Sequence, residues 1–163
     1  MDTPSITDIL RRQLEPTIEM LHDVIKQCSD EFWASNGRNA AVWQHVYHAT
    51  FWLNAWARDW TTPFEKPPFH SGQALELETD ACPVITRDQM RDYLGKVESE
   101  CMSFLDGLTD ETLVAEEEAF GRTWTPADRI LAQIRHVQHH VGMIHAAIKE
   151  ASGGCPRWMA FNE

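Results

Sequence analysis

The chain is short of positive charge. Its 163 residues hold 14 Lys and Arg against 25 Asp and Glu, for a formal charge of −11. Nucleic acid and anionic membrane surfaces both need basic patches, so neither is an expected partner. No run approaches the ~20 consecutive apolar residues of a membrane span. The opening MDTPSITDILRRQL has no basic start followed by an apolar core, so no secretory signal is expected and the expected location is cytoplasmic. The cysteines Cys28, Cys82, Cys101 and Cys155 include no CxxC pair. They are expected to be reduced, with Cys28 and Cys101 as core thiols and Cys155 as the exposed one. Several catalytic signatures are also missing: HExxH, a Gly-rich phosphate loop, G-x-S-x-G, and the paired Glu-x-x-His motifs of di-iron bundles.

What is present is apolar, aromatic and helical in period. Apolar residues make up 43% of the chain, with seven Trp and seven Phe, enough for one domain over 1–163 with a full core. Four long helices are expected. The first spans 4–33, capped by Thr3 with Pro4 at its first position and kinked at Pro16; Ile6, Leu10, Leu14, Ile18, Leu21, Ile25, Cys28 and Phe32 form its stripe. The second spans 40–60. A Pro-rich connection of about 24 residues follows, over 61–84, long enough to be a lid or a crossover. The third opens on the capping-box pair Thr86 and Gln89. The acidic run Glu116–Glu118 reads as solvated loop. The fourth opens on Thr125-Pro126 and stops at Gly153-Gly154, and the apolar tail after it is expected to dock back. With no strand expected, the fold class is all-α, a four-helix bundle. The short first joint makes helices one and two antiparallel neighbours. The long second connection lets the third helix run parallel to the second, and the order is up-down-down-up.

The chemistry lies in the histidines. His136 and His140 are one helical turn apart in RHVQHHVGMIH, so both imidazoles can reach one divalent cation. On a helical wheel they fall about 80–120° from the centre of the apolar stripe, at the edge of the buried face. Gln133, Arg129, Met143 and Ala147 share that side; His139 points to solvent, and His145 lies on the other flank. In the second helix, WQHVYHATFWLNAW offers both His45 and His48, and geometry lets either be a third ligand. Asp59 is a candidate outer partner for His48. His22 and His70 read as ordinary surface residues.

These residues resemble the DinB/YfiT-like superfamily of metal-binding four-helix bundles, over essentially the whole chain. RHVQHHVGMIHAAI is similar to its last-helix motif, in which the second histidine precedes a variable residue, Gly and two more, here His140-Val141-Gly142-Met143-Ile144. WQHVYHATFWLNAW is similar to the second-helix motif of the DinB-like domain that also occurs in ergothioneine-biosynthesis sulfoxide synthases. There the ligand histidine is followed at the third and fourth positions by aromatics, which fits His48 with Phe51 and Trp52 and fits His45 poorly. Val141 stands where Arg is common and Met143 where Gln is common.

The resemblance implies a mononuclear divalent metal (zinc, nickel, iron or manganese) on His48, His136 and His140, with open coordination positions. It also implies a homodimer, and a small-molecule substrate with a low-molecular-weight thiol as co-reactant. The expected activity is thus that of a metal-dependent hydrolase or thiol-dependent transferase; sulfoxide synthesis is not expected, because the fused oxidase domain is missing. The alternative is a non-catalytic metal-binding or stress-related bundle. Arg129 and Arg135 are candidates to orient an anionic substrate, and Phe51, Trp52 and Trp124 are candidates to wall a pocket.

Overall fold

The computed structural model describes residues 3–35, 40–78, 83–154 and 156–160. Reciprocal capping sets where the long helices begin. Helix α1, Ile6–Gln27, starts where the Ser5 hydroxyl accepts from the Asp8 N–H and the Asp8 carboxylate accepts from the Ser5 N–H. The cap is therefore Ser5, not Thr3, because only Ser5 has a carboxylate three residues on. α1 continues through Pro16. It ends at Cys28, whose extended backbone lets the Ser29 hydroxyl cap a second short helix, α2, Asp30–Ala34. The single helix expected over 4–33 is thus two, separated by a Ser-Asp-Glu start signal.

Helix α3, Val42–Trp56, has Ala41 at its cap, and the Gln44 side chain accepts the Ala41 N–H at 2.9 Å. It stops four residues short of the expected Trp60. Its last carbonyl, that of Trp56, and the carbonyl of Arg58 beyond it are taken by the buried Arg129 guanidinium, which donates to Trp56 O at 3.0 Å and Arg58 O at 2.9 Å. The long connection holds a one-turn helix, α4, Gly72–Leu75, capped by Ser71. Helix α5, Arg87–Asp106, opens on the expected Thr86–Gln89 box. After the short α6, Asp110–Leu113, the chain forms a two-stranded hairpin, β1 Glu117–Ala119 and β2 Arg122–Trp124. Its turn puts Phe120 and Gly121 at φ of 54° and 71°, the paired left-handed geometry that suits a two-residue hairpin loop. The run read as solvated loop is therefore partly strand, and Glu117 reaches Arg129 at 3.0 Å. Helix α7, Pro126–Ser152, opens on a Thr125–Asp128 box and ends at Gly153, φ 69°.

Four long helices form the bundle. α1 packs on α5 and α7, and α3 packs on the same two. α1 and α3 are therefore diagonal partners rather than the neighbours expected from their short joint. Side-chain contacts give the directions. Arg11 near the start of α1 meets Asp106 at the end of α5, and Arg87 at the start of α5 reaches Asp30 and the Cys28 carbonyl just beyond α1. Tyr47 faces Tyr93, and Asn54 bonds Glu100, so α3 and α5 are parallel. His45 meets His140 while Trp56 meets Arg129, so α3 and α7 are antiparallel. The order is up-down-down-up, as expected.

The expected stripe of α1 forms the core together with apolar faces of α3, α5 and α7. Leu14, Ile18, Leu21, Val46, Leu53, Met90, Leu94, Val97, Leu105, Ile130, Val137 and Ile144 are all buried, each worth ~1.5–3 kcal/mol against exposure. Ile6 is the exception in α1, at 46% exposure. Cys28 and Cys101 are buried free thiols, as expected; Cys82 and Cys155 lie outside the described residues. In the tail Met159 packs against the core, whereas Trp158 stays exposed. Among the described residues no helix is long and apolar enough to cross a membrane.

Candidate metal centre

The antiparallel register of α3 and α7 matches their histidines in order: His48 meets His136, and one turn away His45 meets His140. The Nε2 atoms of His48 and His136 are 3.1 Å apart, and those of His136 and His140 are 3.2 Å apart. One nitrogen from each of His48, His136 and His140 falls in a group whose members all lie within 4.8 Å of one another. Zn–N bonds of ~2.0–2.1 Å in a tetrahedron put ligand nitrogens about 3.3 Å apart, so the spacing suits a first-row divalent cation. His140 is buried, while His48 and His136 are partly exposed.

The outer nitrogens decide what those inner nitrogens carry. His48 Nδ1 lies 2.6 Å from the Leu75 carbonyl, which can only accept. His136 Nδ1 lies 3.2 Å from Gln133 Oε1, another acceptor. Both rings therefore hold their proton on Nδ1 and present bare Nε2 lone pairs. Two bare lone pairs 3.1 Å apart repel unless a cation lies between them. The donor set thus fits a metal on its own chemistry, with outer acceptors of the kind that orient ligating histidines.

Burial favours the neutral form of His136, His140 and His45. Burial, then the neighbouring His48 and His139, push His136 down to about 4. Burial, then His48 and the other nearby imidazoles, push His140 down to about 3. His45 is lowered by the same causes, burial first. Neutral imidazole is the form that binds metal.

The other expected residues separate. His45 is buried against His140 at 3.0 Å and stands behind the trio rather than in it. Asp59 is not the outer partner of His48; its carboxylate accepts from the Thr61 N–H and hydroxyl, and the partner of His48 is the Leu75 carbonyl. Arg129 is fully buried, held by two carbonyls, Glu117 and the face of Trp60, so it caps α3 and is not a substrate anchor. Arg135 is exposed. Trp52 stands edge-on to His48 at 6.3 Å. Phe51 belongs to a core cluster with Tyr47, Phe64 and His70, and Trp124 packs on Trp56. His22 pairs with Glu98 at 2.9 Å, and His70 pairs with the Tyr47 hydroxyl at 2.7 Å, so neither is a plain surface residue. His139 is exposed, as expected.

Comparison with known proteins agrees with this architecture. A family model, the DinB superfamily, matches residues 13–144. No curated protein matches the chain. The crystal structure of a conserved protein from Enterococcus faecalis is similar at a TM-score of 0.67 and 16% identity, covering 93% of this chain and 100% of its own. At that identity the likeness is one of fold.

Proposed function

The chain belongs to the DinB superfamily, and from that premise we propose that it is a metal-dependent enzyme acting on a small molecule, by thiol transfer or hydrolysis, with one divalent transition metal on His48, His136 and His140. The convergence of Nε2 atoms, with the outer nitrogens of His48 and His136 tied to acceptors, carries this reading. Zinc, nickel, iron or manganese held there would supply Lewis acidity to a thiol or a water. The rest is done by the chain. Three neutral imidazoles would leave both charges of the cation uncompensated, which favours an anionic fourth partner such as a thiolate. The Leu75 carbonyl and the Gln133 amide orient two of the rings before any ligand arrives. Trp52 stands edge-on beside His48, where it would form part of the wall of the site.

A second reading, a metal-binding bundle without turnover, is favoured by one observation. Among the described residues the cluster is all imidazole, with no carboxylate in it to serve as a base. That same composition favours thiol transfer over hydrolysis within the first reading, because a thiol ionises far more readily than water.

The test is elemental mass spectrometry on untagged protein beside a His136→Ala/His140→Ala variant. About one equivalent of transition metal in the parent, lost in the variant, is the expected result. Assays with low-molecular-weight thiols then separate the two readings. A parent that takes up no zinc, nickel, iron or manganese on reconstitution overturns both.

A further inference from the structure

Among the described residues, His48 and His136 have oxygen acceptors behind them and His140 does not. The partner recorded for its outer nitrogen is a fourth imidazole, His45, with Nδ1 to Nδ1 at 3.0 Å, ring centroids 5.3 Å apart and planes tilted by 44°. We propose that His45 is a positioning residue: its Nδ1 accepts the Nδ1–H of His140 and so holds His140 in the tautomer that turns a bare Nε2 toward His48 and His136. This rests on the three-histidine reading above and adds a role for a residue outside the trio.

Three observations support it. An imidazole pair at 3.0 Å must share one proton, and His140 can present a bare Nε2 only if that proton is its own. His45 is therefore the acceptor and carries its proton on Nε2. The placement is built in by the register, since His45 stands one turn before His48 on α3 and His140 one turn after His136 on α7. Finally, packing does not close over His45 on every side. His45 is buried at 6% exposure, yet it lines a cavity of about 480 Å³ with Val42, Met143, Ile144 and Ala147. The hydrogen bond to His140 is the directional contact that fixes its orientation. The same cavity gives a slightly larger ring room at this position.

The test uses the full chain, with zinc as the probe. Zinc affinity is measured by competition with a chromophoric chelator for the parent, His45→Phe and His45→Asn. Phenylalanine keeps a ring and removes the acceptor. Asparagine places an amide oxygen about where Nδ1 stood. Loss of an outer partner of this kind weakens metal binding roughly 10–100-fold, so that loss is expected for His45→Phe, with most of it recovered in His45→Asn. Equal affinity of parent and His45→Phe, or equal weakness of the two variants, overturns the proposal. A readout on the zinc-loaded parent needs no variant: imidazole ¹H–¹⁵N correlation spectra should show His140 protonated on Nδ1, with a ¹⁵N–¹⁵N coupling to His45 Nδ1 across the hydrogen bond. A His140 protonated on Nε2 overturns it even if a variant fails to fold. A parent that binds no zinc removes the three-histidine reading itself. A parent that binds tightly with His45→Phe unaffected removes only the role of His45.

Discussion

Two polar centres at the α3–α7 interface differ in kind. At one end Arg129 is fully buried, yet its charge is met by the Trp56 and Arg58 carbonyls, Glu117 and the Trp60 face. Protein groups meet its charge, although its buried Nε has no hydrogen bond among the described residues. About two turns along α7, three imidazoles converge on one another, and protein groups answer only their outer edges. A buried polar group with its partners in place belongs to the scaffold. One whose lone pairs meet other lone pairs is arranged for something that arrives later.

The largest effect should come from breaking the second centre. A His136→Ala/His140→Ala protein is expected to bind no metal while remaining folded. A ligand at 1,000 times its dissociation constant stabilises a fold by about 4 kcal/mol. Zinc at that excess should therefore raise the unfolding free energy of the parent by about that amount and leave the variant unchanged, as read by urea titration. Breaking the first centre should do the reverse. Arg129→Met removes two charge-assisted bonds to carbonyls at roughly 1.5–3 kcal/mol each, so the metal-free protein should lose ~3 kcal/mol or more. Its metal content should still match the parent by mass spectrometry. Loss of metal together with stability would show that the two centres are not separate.

Smaller changes sharpen the contrast. Glu117 is partly exposed, so Glu117→Gln should cost no more than ~1 kcal/mol in the same titration. Cys28 is a third kind of buried group, with burial pushing its thiol up to about 11 while Arg87 pulls weakly the other way. Thiolate then accumulates only as pH approaches that value. Alkylation of Cys28, followed by peptide mapping, should be slow at pH 8 and rise about tenfold per pH unit to pH 10. Rapid labelling at pH 8 would mean that the α1–α2 joint opens easily.

How much of this was legible depends on whether a helix has a wet side. α7 does, and its periodicity separated His136 and His140 from His139 and His145. α3 does not: from Val42 to Leu53 all but His48 and Trp52 are buried. With no polar face as reference, the wheel could not choose between His45 and His48, and only the resemblance did. The Thr86–Gln89 box of α5 and the Thr125-Pro126 start of α7 were legible because they are local. The Leu75 carbonyl behind His48 was not, since a backbone group brought up by the connection leaves no side-chain signature. The diagonal placement of α1 and α3 escaped for a related reason: joint length sets direction but not which corner of the bundle a helix takes. Arg129 was misjudged because the hairpin that buries it was read as loop.

The partners in the histidine cluster are 88 and 95 residues apart along the chain. A site assembled from such distant parts cannot form in a nascent turn or a local nucleus. It exists only after α3 and α7 have docked on each other, because closing so long a loop must come first. A cation captured there would arrive too late to speed folding, and its effect would fall on escape from the native state. Stopped-flow traces with and without zinc should show the same refolding limb and a slower unfolding one. A loaded centre would be a lock on a finished structure rather than a template for making it.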